Sequence, residues 1–179
     1  MPDYTIFKKT FCDCCDTKKK GLCCIGLRDS RMIRDNSGFI DWEELLEERD
    51  AEVHDKKHCD CVYVNPEKNI TFFIEQKQYL FVYENPLAEA HEKKLKNPAK
   101  FAQSLLNKFK NTKDVFIADG NDVNSYEFVF AYNLNEIDGK RTSTENIERL
   151  LRINYEAHFE AADIRWMDCK SAAKHVLYD

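Results

Sequence analysis

Glycine is scarce in this chain, five in 179 residues, and none of the five falls in a phosphate-cradling loop or a dinucleotide fingerprint. Both devices need glycine where the backbone must come close to a phosphate, so a glycine-rich nucleotide cradle is not expected. The G-x-S-x-G turn of many serine hydrolases is missing as well. Long apolar runs are missing too. The longest, Phe72-Phe73-Ile74 and Tyr79 to Tyr83, have the length of strands, against the roughly 18 to 20 uncharged apolar residues of a membrane span. The opening residues, Met1-Pro2-Asp3-Tyr4-Thr5-Ile6-Phe7-Lys8-Lys9, lack the basic, apolar and small-residue succession of a secretory leader. A soluble, intracellular, cytoplasmic protein with no membrane partner is therefore expected. Nor is there an excess of positive charge: the formal net charge is -5 and the pI about 5.6. That balance argues against a protein that coats nucleic acid non-specifically and leaves room for a local basic face.

At 43% hydrophobic, the chain can bury one substantial core, and nothing in it calls for a second. Its eight cysteines, without a leader, read as thiols or metal ligands in place of disulfides. Residues 1–36 are the cysteine-rich part, with Cys12-Asp13-Cys14-Cys15, Lys18-Lys19-Lys20 and Cys23-Cys24; residues 37–179 read as an α/β domain, the two forming one unit. Cys12 and Cys15 have the C-x-x-C spacing that starts a tetrahedral site, so Cys12, Cys15, Cys23 and Cys24 are candidate Zn²⁺ ligands, with His58-Cys59-Asp60-Cys61 as another source. An iron–sulfur cluster and thiols buried as small apolar side chains are the alternatives. Cys169 stands alone and is expected in the core.

Periodicity divides the rest of the chain. Phe39, Trp42, Leu45, Leu46 and Arg49 recur at helical spacing, which predicts a helix over about residues 41–50. Cys61 to Val64 and Ile70 to Ile74 are β-prone and flank the turn-rich Asn65-Pro66-Glu67-Lys68-Asn69, which predicts a hairpin. A third strand is expected over Tyr79 to Tyr83 and a charged helical stretch up to Lys96. Asn97-Pro98 has the form of an N-cap with proline in the first turn, opening a helix with Phe101, Leu105, Leu106 and Phe109 on one face and an end near Asn111. Val115 to Ala118 and Tyr126 to Tyr132 read as strands around Gly120-Asn121-Asp122. Thr142, Ser143 and Thr144 offer N-caps for a helix with Ile147, Leu150 and Leu151 inside; a strand over 157–167 and a helix over 169–178 follow. This order implies an α/β (or α+β) sheet with helices packed on it.

The chemistry concentrates at the hairpin. Asp60 opens its first strand, and Glu75 and Lys77 end its second, two residues apart and so on one face. A register centred on Asn65 to Asn69 brings Asp60 opposite the Glu75 region, at exposed strand ends. Two carboxylates supply hard oxygen ligands that suit Mg²⁺ or Mn²⁺ and leave places for water and phosphate. Such an ion activates water and stabilises phosphoryl charge, and a lysine beside it orients the nucleophile or offsets transition-state charge. The plain alternative is a salt bridge at a strand end.

At Asp60, Val62-Tyr63-Val64, Ile70 to Ile74 and Glu75-Gln76-Lys77 the sequence resembles the PD-(D/E)xK nuclease superfamily, which includes restriction endonucleases and Holliday-junction resolvases. Cys59 stands where that motif carries proline. The resemblance spans roughly residues 40–118 and implies a restriction-endonuclease-like mixed sheet flanked by helices, with Asp60 and Glu75 as Mg²⁺ ligands and Lys77 as the catalytic cation. It also implies a further glutamate from the first helix, for which Glu43 and Glu47 are the candidates.

Seven lysines (93, 94, 96, 100, 108, 110, 113) fall between residues 93 and 113 of this acidic chain. Lys93, Lys94, Lys100, Lys108 and Lys110 are candidate contacts to a nucleic-acid backbone; the alternative is a solvated face opposite Phe101, Leu105 and Phe109. The expectation is a Mg²⁺- or Mn²⁺-dependent nuclease acting on DNA more readily than RNA, with Zn²⁺ as an additional metal and a homodimer as one option for its assembly. The rivals are a non-catalytic zinc-containing module that binds nucleic acid or protein, and an inactive nuclease-like regulator.

Overall fold

The hairpin forms around its turn. Asn65 folds its side-chain carbonyl over the turn to accept from the amides of Glu67 and Lys68, both at 3.1 Å, and Asn69 takes the left-handed conformation (φ 54°) that asparagine tolerates. Strands β3 (Cys61–Asn65) and β4 (Ile70–Gln78) then pair antiparallel from Asn65↔Ile70 to Cys61↔Ile74. The computed structural model describes residues 4–9, 11, 38–47, 56–78, 97–133 and 144–179; of these, the side chains of 77, 78, 133, 144–148, 150 and 151 lie outside the description.

Around the hairpin the described chain builds a mixed six-stranded sheet in the order β1-β2-β3-β4-β5-β6. Here β1 is Lys8–Lys9, β2 Phe39–Asp41, β5 Tyr126–Asn133 and β6 Ile164–Asp168. Strands β1 to β4 are mutually antiparallel, whereas β4–β5 and β5–β6 are parallel. A parallel neighbour requires a crossover, and among the described residues a helix lies in each: α2 (Pro98–Ala118) between β4 and β5, and α3 (Thr144–Ala161) between β5 and β6. A short helix α1 (Trp42–Glu47) follows β2, and α4 (Cys169–Leu177) closes the chain. This is an α/β fold. Among the described residues no helix is long and apolar enough to cross a membrane.

Alternation along the strands sorts the core into two layers. One face carries Val62, Phe73, Phe128, Phe130 and Tyr132 against α1, α2 and α3. Phe109 of α2 stacks on Phe128 at 5.0 Å, and Phe159 of α3 meets Phe130 at 5.7 Å. The other face carries Phe72, Ile74, Val129 and Ala131 against Ala172, Ala173 and Val176 of α4, whose small side chains let the helix lie close to the sheet. Cys169 is buried in that second layer, as its isolation suggested. Phe7 and Phe11, from the cysteine-rich first 36 residues, are buried in the same two layers.

Two expected elements are corrected. Val115 to Ala118 is not a strand but the end of α2, which opens on the Asn97 side chain as foreseen and runs on past Asn111. Its β-branched and aromatic residues favour a strand locally, but Thr112 and Phe116 prolong the apolar stripe of Ala102, Leu105 and Phe109, and burial of that stripe decides. The strand expected over 157–167 begins only at Ile164: residues 157–161 belong to α3, and Asp163, at φ 53°, turns the chain into β6. The strand proposed over 79–83 and the helical stretch up to Lys96 lie outside the described residues, as do the inward roles of Ile147, Leu150 and Leu151.

Candidate active site

One step beyond Cys61↔Ile74, the hairpin register sets Asp60 opposite Glu75. Asp60 is held at both ends. Its carbonyl accepts from the Trp42 amide at 3.0 Å, which fixes it to the start of α1, and its carboxylate Oδ2 accepts from the Gln76 amide in β4. Glu75 faces α2 and is fully buried; Asp60 is 5% exposed. Both had been expected at exposed strand ends. The difference arises because α2 roofs the end of the hairpin.

Helix α2 is strapped to the segment leading into β3. Asn111 Nδ2 donates to the Lys57 carbonyl at 3.0 Å, and the Cys59 amide donates to Thr112 Oγ1 at 3.0 Å. Thr112 Oγ1 donates in turn to the Lys108 carbonyl, one turn back, and lies 3.4 Å from His58 Nδ1. One turn before Thr112 on the inward side, Lys108 extends to Glu75, with Nζ 2.6 Å from Oε1 and its own side chain 17% exposed. The charge-assisted contact is short enough to be a strong one.

Comparison with family models, curated proteins and solved structures finds no match. The chemistry therefore rests on the geometry. Among the described residues, the Asp60 and Glu75 carboxyl groups, the Lys108 ammonium and the buried Cys59 thiol lie near one another at the covered end of the hairpin. Burial pushes the Cys59 thiol far up from its ordinary range, and the nearby Glu75 and Asp60 carboxylates push it in the same direction, while Thr112 opposes them. A neutral thiol is a poor nucleophile and a poor metal ligand. Because its ionisation is disfavoured only in the folded state, this thiol contributes stability that is fully present below the ordinary thiol range and lost as pH rises above it. Cys59 is accordingly expected to resist N-ethylmaleimide at pH 8 in the native protein and to react fully in guanidinium, as peptide mapping by mass spectrometry would show. Rapid native labelling would mean that this end of the hairpin is open.

The other candidates fall in different places. Lys77 is in β4, two residues after Glu75 and in register with Tyr132; its side chain is outside the description. Glu43 and Glu47 are exposed on α1, and no group of three His, Cys, Asp or Glu side chains that could hold a metal ion occurs among the described residues. Lys100 and Lys110 are exposed on α2, whereas Lys108 turns inward. Lys93, Lys94, Cys12, Cys15, Cys23 and Cys24 lie outside the described residues. Cys59 and Cys61 are buried and in no disulfide.

Sequence reasoning missed two contributions to this site. Gln76 is the middle residue of Glu75-Gln76-Lys77, yet its amide holds Asp60, while its side chain on the opposite face donates to the Phe11 carbonyl at 2.9 Å. The signal for Lys108 was present as the spacing Phe101, Leu105, Lys108, Thr112. A helix ending near 111 hides it, and a helix continuing to Ala118 reveals it as an inward stripe.

Proposed function

We propose that this protein is a metal-dependent phosphodiesterase that cuts nucleic acid, DNA in preference to RNA, with Asp60 and Glu75 as its acidic pair. The observation that supports this reading is their juxtaposition across the β3–β4 hairpin with a lysine ammonium at one of them. The donor set suits a small hard cation. Two carboxylates are what Mg²⁺ commonly takes from a protein, the rest of its ligands being water and phosphate oxygens.

Asp60 and Glu75 would hold the ion, which supplies an activated water and stabilisation of charge on the phosphoryl group. The remaining work belongs to the chain. The Gln76 amide and the Trp42 amide keep Asp60 from swinging away, so its carboxylate is preorganised. Helix α2 keeps bulk water from the acids, which strengthens each electrostatic contact made there. Lys77, just beyond Glu75 on β4, is the cation assigned to the attacking water, and exposed Lys100 and Lys110 are assigned to the phosphate backbone. Zinc at the N-terminal cysteines and an intracellular setting remain part of the proposal.

One observation favours a second reading. Glu75 is fully buried and already carries an ion pair, an arrangement that a nuclease-like regulator without activity would also show. Incubating the purified protein with plasmid, single-stranded DNA and RNA in EDTA, Mg²⁺ or Mn²⁺ separates the two. Cleavage is expected with either ion and none in EDTA. Intact substrates in every condition would remove the nuclease reading and leave the regulator or a binding module.

A further inference from the structure

A buried acid pair needs positive charge nearby at all times, since an uncompensated buried carboxylate is among the costliest features a fold can carry. In this structure the Lys108 ammonium meets that need at Glu75, at 2.6 Å. Its anchorage is asymmetric. The helix backbone at Lys108 is pinned through Thr112 to the Cys59 amide, but the four-carbon stem is flexible and the side chain keeps 17% exposure, a way out toward solvent. Lys100 and Lys110, on the same helix, are exposed.

We propose that Lys108 is a placeholder cation: it occupies Glu75 while the site holds no divalent ion, and gives up that carboxylate when one binds. This rests on the assignment of Asp60 and Glu75 as a divalent-cation site. The two cations are alternatives because both seek the same carboxylate in a poorly screened space and repel each other at contact range. Once displaced, the ammonium is left at the margin of the site, where a phosphodiester has the charge to hold it. A bound phosphodiester therefore draws Lys108 off Glu75 and tightens the metal, and by linkage the metal tightens the phosphodiester to the same degree. The site is then filled in concert by metal and backbone phosphate, with little occupancy by metal alone.

The test reads metal binding without turnover. Free Mn²⁺ is measured by electron paramagnetic resonance during titration of the wild-type protein, Lys108→Met, Lys108→Gln and Glu75→Gln, with and without a phosphorothioate oligodeoxynucleotide that resists cleavage. Lys108→Gln keeps a hydrogen-bond donor for Glu75 without the charge, which covers the case in which Lys108→Met fails to fold. Both Lys108 variants are expected to bind Mn²⁺ alone more tightly than wild type, within the roughly 5- to 150-fold range of ordinary site coupling. The oligonucleotide is expected to tighten Mn²⁺ on wild type and to lose that effect on the variants. Unchanged or weaker Mn²⁺ binding by the Lys108 variants, with wild-type binding that Glu75→Gln removes, would overturn the placeholder and leave the metal site standing. No Mn²⁺ binding by any of the four proteins would overturn both.

Discussion

Asp60→Asn is expected to cut Mg²⁺-dependent cleavage by at least about 10²-fold, the scale on which removal of one preorganised electrostatic group acts, while leaving the melting temperature within a few degrees of the parent. The substitution is chosen for what it retains. An asparagine carbonyl still accepts the Gln76 amide, and the backbone carbonyl of residue 60 still accepts the Trp42 amide, so the tie between β4, the start of β3 and α1 survives. Only the charge is withdrawn. Glu75→Gln makes the companion test, because its amide oxygen can still receive the Lys108 ammonium. Single-turnover cleavage at saturating enzyme, alongside circular dichroism and thermal melting, separates lost chemistry from lost structure. A parent-like rate for Asp60→Asn would show that the carboxylate is only a brace for Gln76, and the site would have to be sought elsewhere.

The hairpin carrying this site was legible because its determinants are local. Asn65 and Asn69 fix the turn, the turn fixes the register, and the register places Asp60 opposite Glu75. The end of α2 was not legible, since Val115-Phe116-Ile117 satisfies a strand's preferences as well as a helix's until the sheet beneath it is known. That single misplacement hid Lys108: with the helix cut short, the lysine joins a solvated row, and with the helix at full length it falls between Leu105 and Thr112 above Glu75. The burial of the acids was hidden for a related reason. Which helix covers a sheet's end depends on crossover handedness and on straps such as Asn111 to Lys57, contacts between residues 54 apart that no window of sequence displays.

Removing Lys108 should expose how strained the acid pair is without a cation. Lys108→Met leaves Glu75, with no exposure to solvent, facing an apolar side chain, and breaking one side of a buried ion pair costs about 3–5 kcal/mol. For a chain of this size that is a fall in melting temperature on the order of 10 °C. The magnitude alone does not identify the cause, since a lost aliphatic stem would also destabilise; the double variant does. Glu75→Gln combined with Lys108→Met removes both charges at nearly constant volume, and replacing a buried ion pair by neutral groups is often neutral or stabilising. The double variant should therefore recover most of what Lys108→Met loses, a coupling of about 2–3 kcal/mol between residues in direct contact. Urea unfolding of the four proteins in EDTA, where no divalent ion can relieve Glu75, measures it. Additive losses would mean that the 2.6 Å contact carries no energy of its own, and α2 would owe its place over the acids to Asn111, Thr112 and the aromatic stripe alone.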